Sequence, residues 1–154
     1  MARRVRARRS ELEALAVPPL DRRPLALVAD GSLAMFEYLY LCLELGVPLL
    51  PIHPRLSVPE REHLIRTSNA SCTIDPSRSE PVTTSAETNW DFPAVPEEHA
   101  LVYVPSSGST GQPKLVELSR RAWRSLCFAD AARVPPQADD RALLCLPLSH
   151  VGGL

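Results

Sequence analysis

No pair of cysteines in this 154-residue chain has the C-x-x-C spacing of a zinc or redox site. The four that exist, Cys42, Cys72, Cys127 and Cys145, stand far apart. Cys42, Cys127 and Cys145 lie inside apolar stretches, where small buried residues are found. Reduced thiols and a cytoplasmic setting are therefore expected. Excess charge of one sign is also missing. A formal net charge of −1 gives no global field to recruit nucleic acid or a membrane surface. No apolar segment with a cleavage site follows the charged N-terminus, so a signal peptide is not expected. The longest apolar run, residues 33–45, is interrupted by Glu37 and Glu44 and is too short to span a bilayer. With 45% hydrophobic residues, the chain can still bury the core of one soluble domain.

Arg3, Arg4, Arg6, Arg8 and Arg9 crowd the first nine residues, and a basic arm over 1–20 is expected to be solvated and frayed. A nucleic-acid-binding arm is the alternative, although no aromatic residue interleaves with the arginines to stack on bases. The ordered domain is then expected over 21–154. "LALVA" (25–29) reads as a buried strand ended by the turn pair Asp30-Gly31. Ser32 is placed to cap the helix "LAMFEYLYLCLEL". Its two acids, seven apart, predict a single edge facing water, and Gly46 suits a left-handed end. "VPLLPI" (47–52) reads as a second strand despite Pro48 and Pro51. Ser57 and Glu60 form a capping box for a helix reaching about Ser68, and "SCTID" (71–75) reads as a third strand. This alternation predicts an α/β fold with a mostly parallel sheet flanked by helices.

Residues 76–98 carry four prolines and few aliphatics, so a linker or long surface loop is expected there. Strands are expected at 100–104 and 114–118. A helix capped by Ser119 follows, with Trp123, Leu126, Cys127 and Asp130 along one face, and Pro135-Pro136 beyond it. "ALLCL" (142–146) reads as one more strand.

Between the strands at 100–104 and 114–118 lies "SSGSTGQPK" (106–114). A phosphate chain needs close donors that do not clash. Gly108 and Gly111 let the backbone approach; Ser106, Ser107, Ser109 and Thr110 add hydroxyls; Lys114 adds positive charge; Pro113 stiffens the exit. The glycine spacing fits neither G-x-x-x-x-G-K-[ST] nor G-x-G-x-x-G. A serine- and glycine-rich hairpin with an incidental lysine is the alternative.

The surrounding "YVPSSGSTGQPKLVELS" resembles the phosphate-binding signature of the adenylate-forming superfamily of acyl-CoA synthetases, luciferases and peptide-synthetase adenylation domains. "GVPLLPIHPRLSVPER" (46–61) and "LLCLPLSHVGGL" (143–154) resemble two further segments of that family, in the same order. The pair "SGSTGQPK" and "LPLSHVGGL" is most similar to the o-succinylbenzoate–CoA ligases of menaquinone synthesis. The resemblance implies a two-step reaction using ATP, Mg²⁺ and CoA: a carboxylic acid is adenylated, then a thiol displaces AMP. It assigns Ser106, Ser107, Gly108, Ser109, Thr110, Gly111 and Lys114 to the phosphate cradle and implies no metal-ligating residue in this chain. It places His150 beside the acyl pocket; a loop histidine with no role is the alternative. Leu115 stands where the family often has glycine, "HPR" (53–55) replaces N-P-R, and Ser149 replaces an aromatic, which predicts a smaller, more polar pocket wall.

The family's Mg²⁺-holding acid, ribose-binding aspartate and mobile C-terminal domain with its lysine have no counterpart in these residues. The expectation is therefore an N-terminal-domain fragment, inactive alone, with a complementing chain as a partner that would supply the rest. A stand-alone nucleotide- or phosphate-binding module and an arginine-arm interaction protein are the competing readings.

Overall fold

The computed structural model describes residues 5, 8–79, 92–106, 114–141, 143–150 and 152–153. A short helix, α1 (Arg9–Ala14), precedes strand β1 (Leu25–Val28), helix α2 (Leu33–Leu45) and strand β2 (Leu49–Ile52). Helix α3 (Val58–Ser68), strand β3 (Cys72–Ile74) and one 3-10 turn (Pro76–Arg78) follow. The chain continues as β4 (Ala100–Ser106), β5 (Lys114–Ser119) and helix α4 (Arg120–Arg133). The five strands form one sheet in the order β3-β1-β2-β4-β5. All pairs are parallel except β4 with β5, so the fold is the mostly parallel α/β sheet flanked by helices expected from the alternation.

Helix α2 begins where expected: the Ser32 Oγ accepts the Met35 N–H at 3.1 Å. It ends at Gly46 with φ +68°, whose added Cβ would meet Leu20 Cδ2 at 2.8 Å and Val95 Cγ2 at 2.9 Å. At α3 the Ser57 N–H and Oγ–H both donate to Glu60 Oε2, at 2.9 and 2.6 Å. Those bonds hold the Glu60 carboxyl below its ordinary range.

The period-2 alternation of the strands distributes the two helices. Leu25, Leu27, Leu49, Val102 and Val104 pack on one face with Met35, Tyr38 and Leu41 of α2. Ala26, Leu50 and Ile52 face the other way, onto Leu64 of α3. The chain steps from β1 to β2 in one direction and from β2 past β1 to β3 in the other. Right-handed crossovers then put α2 and α3 on opposite faces. Pro51 sits in the middle of the sheet without breaking it. Leu25 N–H bonds Pro48 O and Ala29 N–H bonds Ile52 O, so even-numbered β2 residues face β1 while Leu49 and Pro51 face β4. Pro51 has no donor to offer β4, and the β2–β4 ladder is reduced to the single registered pair Leu49↔Val102.

Four expectations are corrected. Residues 8–20 are not a solvated arm: Leu12 is fully buried, Val5 and Val17 nearly so, and Arg8 is only 2% exposed. Of the five N-terminal arginines, Arg3, Arg4 and Arg6 lie outside the described residues, while Arg8 and Arg9 pair with acids. Glu37 does not share an edge to water with Glu44. It is fully buried because the N-terminal segment covers its end of α2, and Arg8 Nε meets Glu37 Oε2 at 2.9 Å. Cys127 and Cys145 are exposed, leaving Cys42 as the one fully buried thiol among the four, its pKa pushed up by burial. Residues 143–146 form no strand. Leu143, Leu144 and Leu146 stay exposed, Pro147 lacks a donor to carry a ladder onward, and Leu148 is the residue that reaches the core.

Helix α4 lies on the sheet by its beginning only. Ser119 Oγ accepts the Ala122 N–H at 3.2 Å, and the Arg120 guanidinium donates to Leu43 O at 2.8 Å. The expected face is present, but Trp123 alone of it packs on the core, and no residue of α4 is buried. Within 76–98, residues 80–91 lie outside the description. Phe92 packs against the α2-side core, and the Glu97 and His99 carbonyls accept the first N–H groups of α4. No helix among the described residues is long and apolar enough to cross a membrane.

Candidate functional site

In a parallel sheet, ligands meet the chain at the carboxyl ends of the strands. Two adjacent strands, β2 and β4, end side by side here. Residue 53 follows the last residue of β2, and β4 closes with Pro105 and Ser106. Ser106 is the register partner of Lys114, the first residue of β5, and its Oγ–H donates to the Lys114 carbonyl at 3.2 Å. The antiparallel pairing thus holds both ends of the glycine- and hydroxyl-rich stretch together. Lys114 is exposed, so its ammonium keeps its hydration and its reach. Ser107, Gly108, Ser109, Thr110 and Gly111 lie outside the described residues.

A cleft of about 720 Å³ opens beside this end of the sheet. Its apolar part comes from Pro51, Leu56, Leu64 and Pro105. Its polar part gathers His53 from the end of β2, Glu60 and His63 from α3, and Ser149 and His150 from the turn after Pro147. Glu60 and Leu64, like Pro59 and His63, are four apart on α3 and so share the face turned to the cleft. The turn is closed by the His150 N–H to Pro147 O, 3.0 Å, and by the Gly153 N–H to His150 O, 2.9 Å.

The structure therefore brings His150 to the same end of the sheet as Ser106, through Pro105, and sets its ring 6.5 Å from that of His53. His53 Nδ1 accepts the Arg55 N–H at 3.1 Å, which leaves the neutral ring with its proton on Nε2. Ser149 is only 4% exposed, and its Oγ has no hydrogen-bond partner among the described residues. The resemblance had already implied a smaller, more polar pocket wall at Ser149; His53 and His63 are functional candidates that the motifs did not assign. The sequence signal for His53 was its place directly after a strand; His63 carried none. Among the described residues, no group of three or more His, Cys, Asp and Glu could hold a metal ion.

A family profile described as "AMP-binding enzyme" matches residues 1–154, the N-terminal residues included. Feruloyl-CoA synthase from Amycolatopsis is 29% identical over 171 residues, an alignment covering 100% of this chain and 34% of that protein. A long-chain-fatty-acid–CoA ligase from Mycobacterium tuberculosis is 28% identical over 169 residues, covering 93% of this chain and 33% of the relative. The chain spans about a third of the length of the curated relatives it matches. Among solved structures, o-succinylbenzoate coenzyme A synthetase from Bacillus subtilis, in complex with AMP, superposes with a TM-score of 0.80 at 21% identity. That match covers 97% of this chain and 43% of the other, and at this identity it bears on the fold.

Proposed function

Because the chain belongs to the AMP-binding enzyme family, we propose that it is the phosphate-gripping part of an ATP-dependent carboxylic acid–CoA ligase. In this reading a carboxylate oxygen bonds to the α-phosphorus of ATP as the bond to pyrophosphate breaks. The CoA thiol then gives up its proton and displaces AMP to form the thioester. Both relatives described above are named for joining carboxylic acids to CoA, which supports that reaction class. The observation that carries the proposal is the Ser106–Lys114 pairing, which holds a hydroxyl and an ammonium at the two ends of the candidate cradle. The Lys114 ammonium favours the anionic phosphates of a departing pyrophosphate, while the Ser106 hydroxyl, whose proton goes to the Lys114 carbonyl, fixes the two ends against each other. Mg²⁺ would enter on the nucleotide's own phosphates, as it commonly does with nucleoside triphosphates.

The finer reading, an o-succinylbenzoate–CoA ligase of menaquinone synthesis, draws on "SGSTGQPK" with "LPLSHVGGL". Titration of ATP–Mg²⁺ into the purified chain and into Lys114→Ala tests the cradle. The substitution is expected to weaken binding by roughly 10- to 100-fold, the worth of one charge-assisted hydrogen bond. Equal affinities would reject the assignment. With o-succinylbenzoate, ATP and Mg²⁺ supplied, pyrophosphate release by these 154 residues alone is expected to stay at background. Robust release would show that the chain already carries every group the adenylation step needs.

A further inference from the structure

A buried hydroxyl with no partner is costly, and proteins rarely keep one facing empty space. Ser149 Oγ is such a group, and Ser149 lines the cleft between β2, α3 and the Pro147–His150 turn. The hydroxyl's neighbours in the cleft wall define what it awaits. His53 contributes a ring whose Nδ1 is already used by Arg55, so Nε2–H is its remaining donor. Glu60, kept in its carboxylate form by two hydrogen bonds from Ser57 to Oε2, repels an anion, so the part of an occupant that lies against this wall is uncharged. Leu56, Leu64 and Pro105 supply an apolar bed. A purely hydrocarbon occupant would satisfy the bed and leave the Ser149 hydroxyl unpaired. An occupant with one oxygen substituent on an apolar body satisfies both.

We propose that Ser149 is a specificity-determining residue, whose hydroxyl bonds an oxygen substituent on the body of the bound acid. The cleft thereby selects oxygen-substituted acids over plain hydrocarbon acids of the same size. The inference rests on the ligase reading for the identity of the occupant as an acid. A site built to pair a polar group rejects the analogue lacking it more strongly than an apolar pocket rejects a small change in size. The same replacement by alanine therefore removes selectivity rather than affinity for the plain acid.

The test uses the full chain and a matched set of probes: benzoate and the 2-, 3- and 4-hydroxybenzoates. Binding is followed through the imidazole proton NMR signals of His53 and His150, which report occupancy of this cleft. At least one hydroxybenzoate is expected to bind about tenfold tighter than benzoate and to shift both signals. Ser149→Ala is expected to bring that hydroxybenzoate down to the affinity of benzoate while leaving benzoate unchanged. Ser149→Thr, which keeps the hydroxyl, is expected to retain the preference. A preference that survives in Ser149→Ala, or the absence of any acid-induced shift at His53 and His150, overturns the inference. ATP–Mg²⁺ titration separates the two levels. Nucleotide binding that depends on Lys114 without a Ser149-dependent preference sinks this inference alone. A Ser149-dependent preference in a chain that binds no nucleotide sinks the ligase reading and keeps the polar cleft.

Discussion

Arg8→Ala is expected to destabilise the chain by about 3–5 kcal/mol, a large part of what holds a small domain together. The guanidinium is 2% exposed and the Glu37 side chain is fully buried, so their contact at 2.9 Å sits in a low dielectric. Arg8 Nη1 also meets Glu11 Oε1 at 2.7 Å, and the guanidinium lies 5.2 Å from the Tyr38 ring centroid. The Tyr38 hydroxyl completes the cluster, donating to Glu11 and lying 2.9 Å from Ser79 Oγ. Burial, together with the hydrogen bond to Glu11, pushes that phenol up to about 12, so it stays protonated across the working pH range. Removing Arg8 takes from the buried Glu37 carboxylate the cation that meets it at 2.9 Å. The penalty comes from the weaker compensation of that buried charge more than from the lost attraction itself. Arg8→Met combined with Glu37→Leu removes both charges at similar volume, and is expected to recover most of the loss. Urea denaturation of the three chains checks this. A single variant with an unchanged midpoint would mean that the N-terminal segment contributes nothing to the core.

The same cluster shows what the sequence could and could not disclose. Capping groups act within one turn of chain, so Ser32, Ser57 and Gly46 announced the ends of α2 and α3 correctly. Alternating strands and helices announced the parallel sheet for the same reason. The fate of the N-terminus is a long-range matter. Val5, Arg8 and Leu12 fall at helical spacing, yet the surrounding arginines hide the pattern, and nothing near Glu37 says that a cation arrives from 29 residues away. The apolar stretch 142–146 misled in the opposite direction. Composition alone supplies no ladder partner, and the described part of it remains exposed. The candidate site divides along the same line. Ser106, Lys114 and His150 are carried by motifs that reading along the chain can find. Ser149 comes with His150 in the same motif, whereas the cleft adds His53 and His63 from two other elements, which only the topology brings beside it.

Gly153→Ala is expected to disable that cleft while leaving nucleotide binding in place. A Cβ at Gly153 would lie 2.3 Å from Pro147 O, 2.7 Å from Pro147 C and 2.9 Å from Leu146 O. These are backbone atoms of the turn that presents Ser149 and His150, so they cannot rotate aside as a side chain would. The turn must open, and the Gly153 N–H to His150 O bond must lengthen with it. Gly152 provides the internal control, since among the described residues its Cβ would meet only Leu146 Cδ1 at 3.5 Å, an ordinary contact. Gly153→Ala is expected to weaken hydroxybenzoate binding by more than tenfold, whereas Gly152→Ala changes it little. The stability cost of forcing a methyl group into so tight a place is about 1–3 kcal/mol, less than that of removing Arg8 from Glu37. The two effects separate because Leu148 anchors the turn to the α2-side core, while Ser149 and His150 face the cleft. A Gly153→Ala chain that still shifts its His53 and His150 signals with wild-type affinity would show that the cleft does not depend on the turn's geometry. In that case the polar wall would have to be carried by β2 and α3 alone.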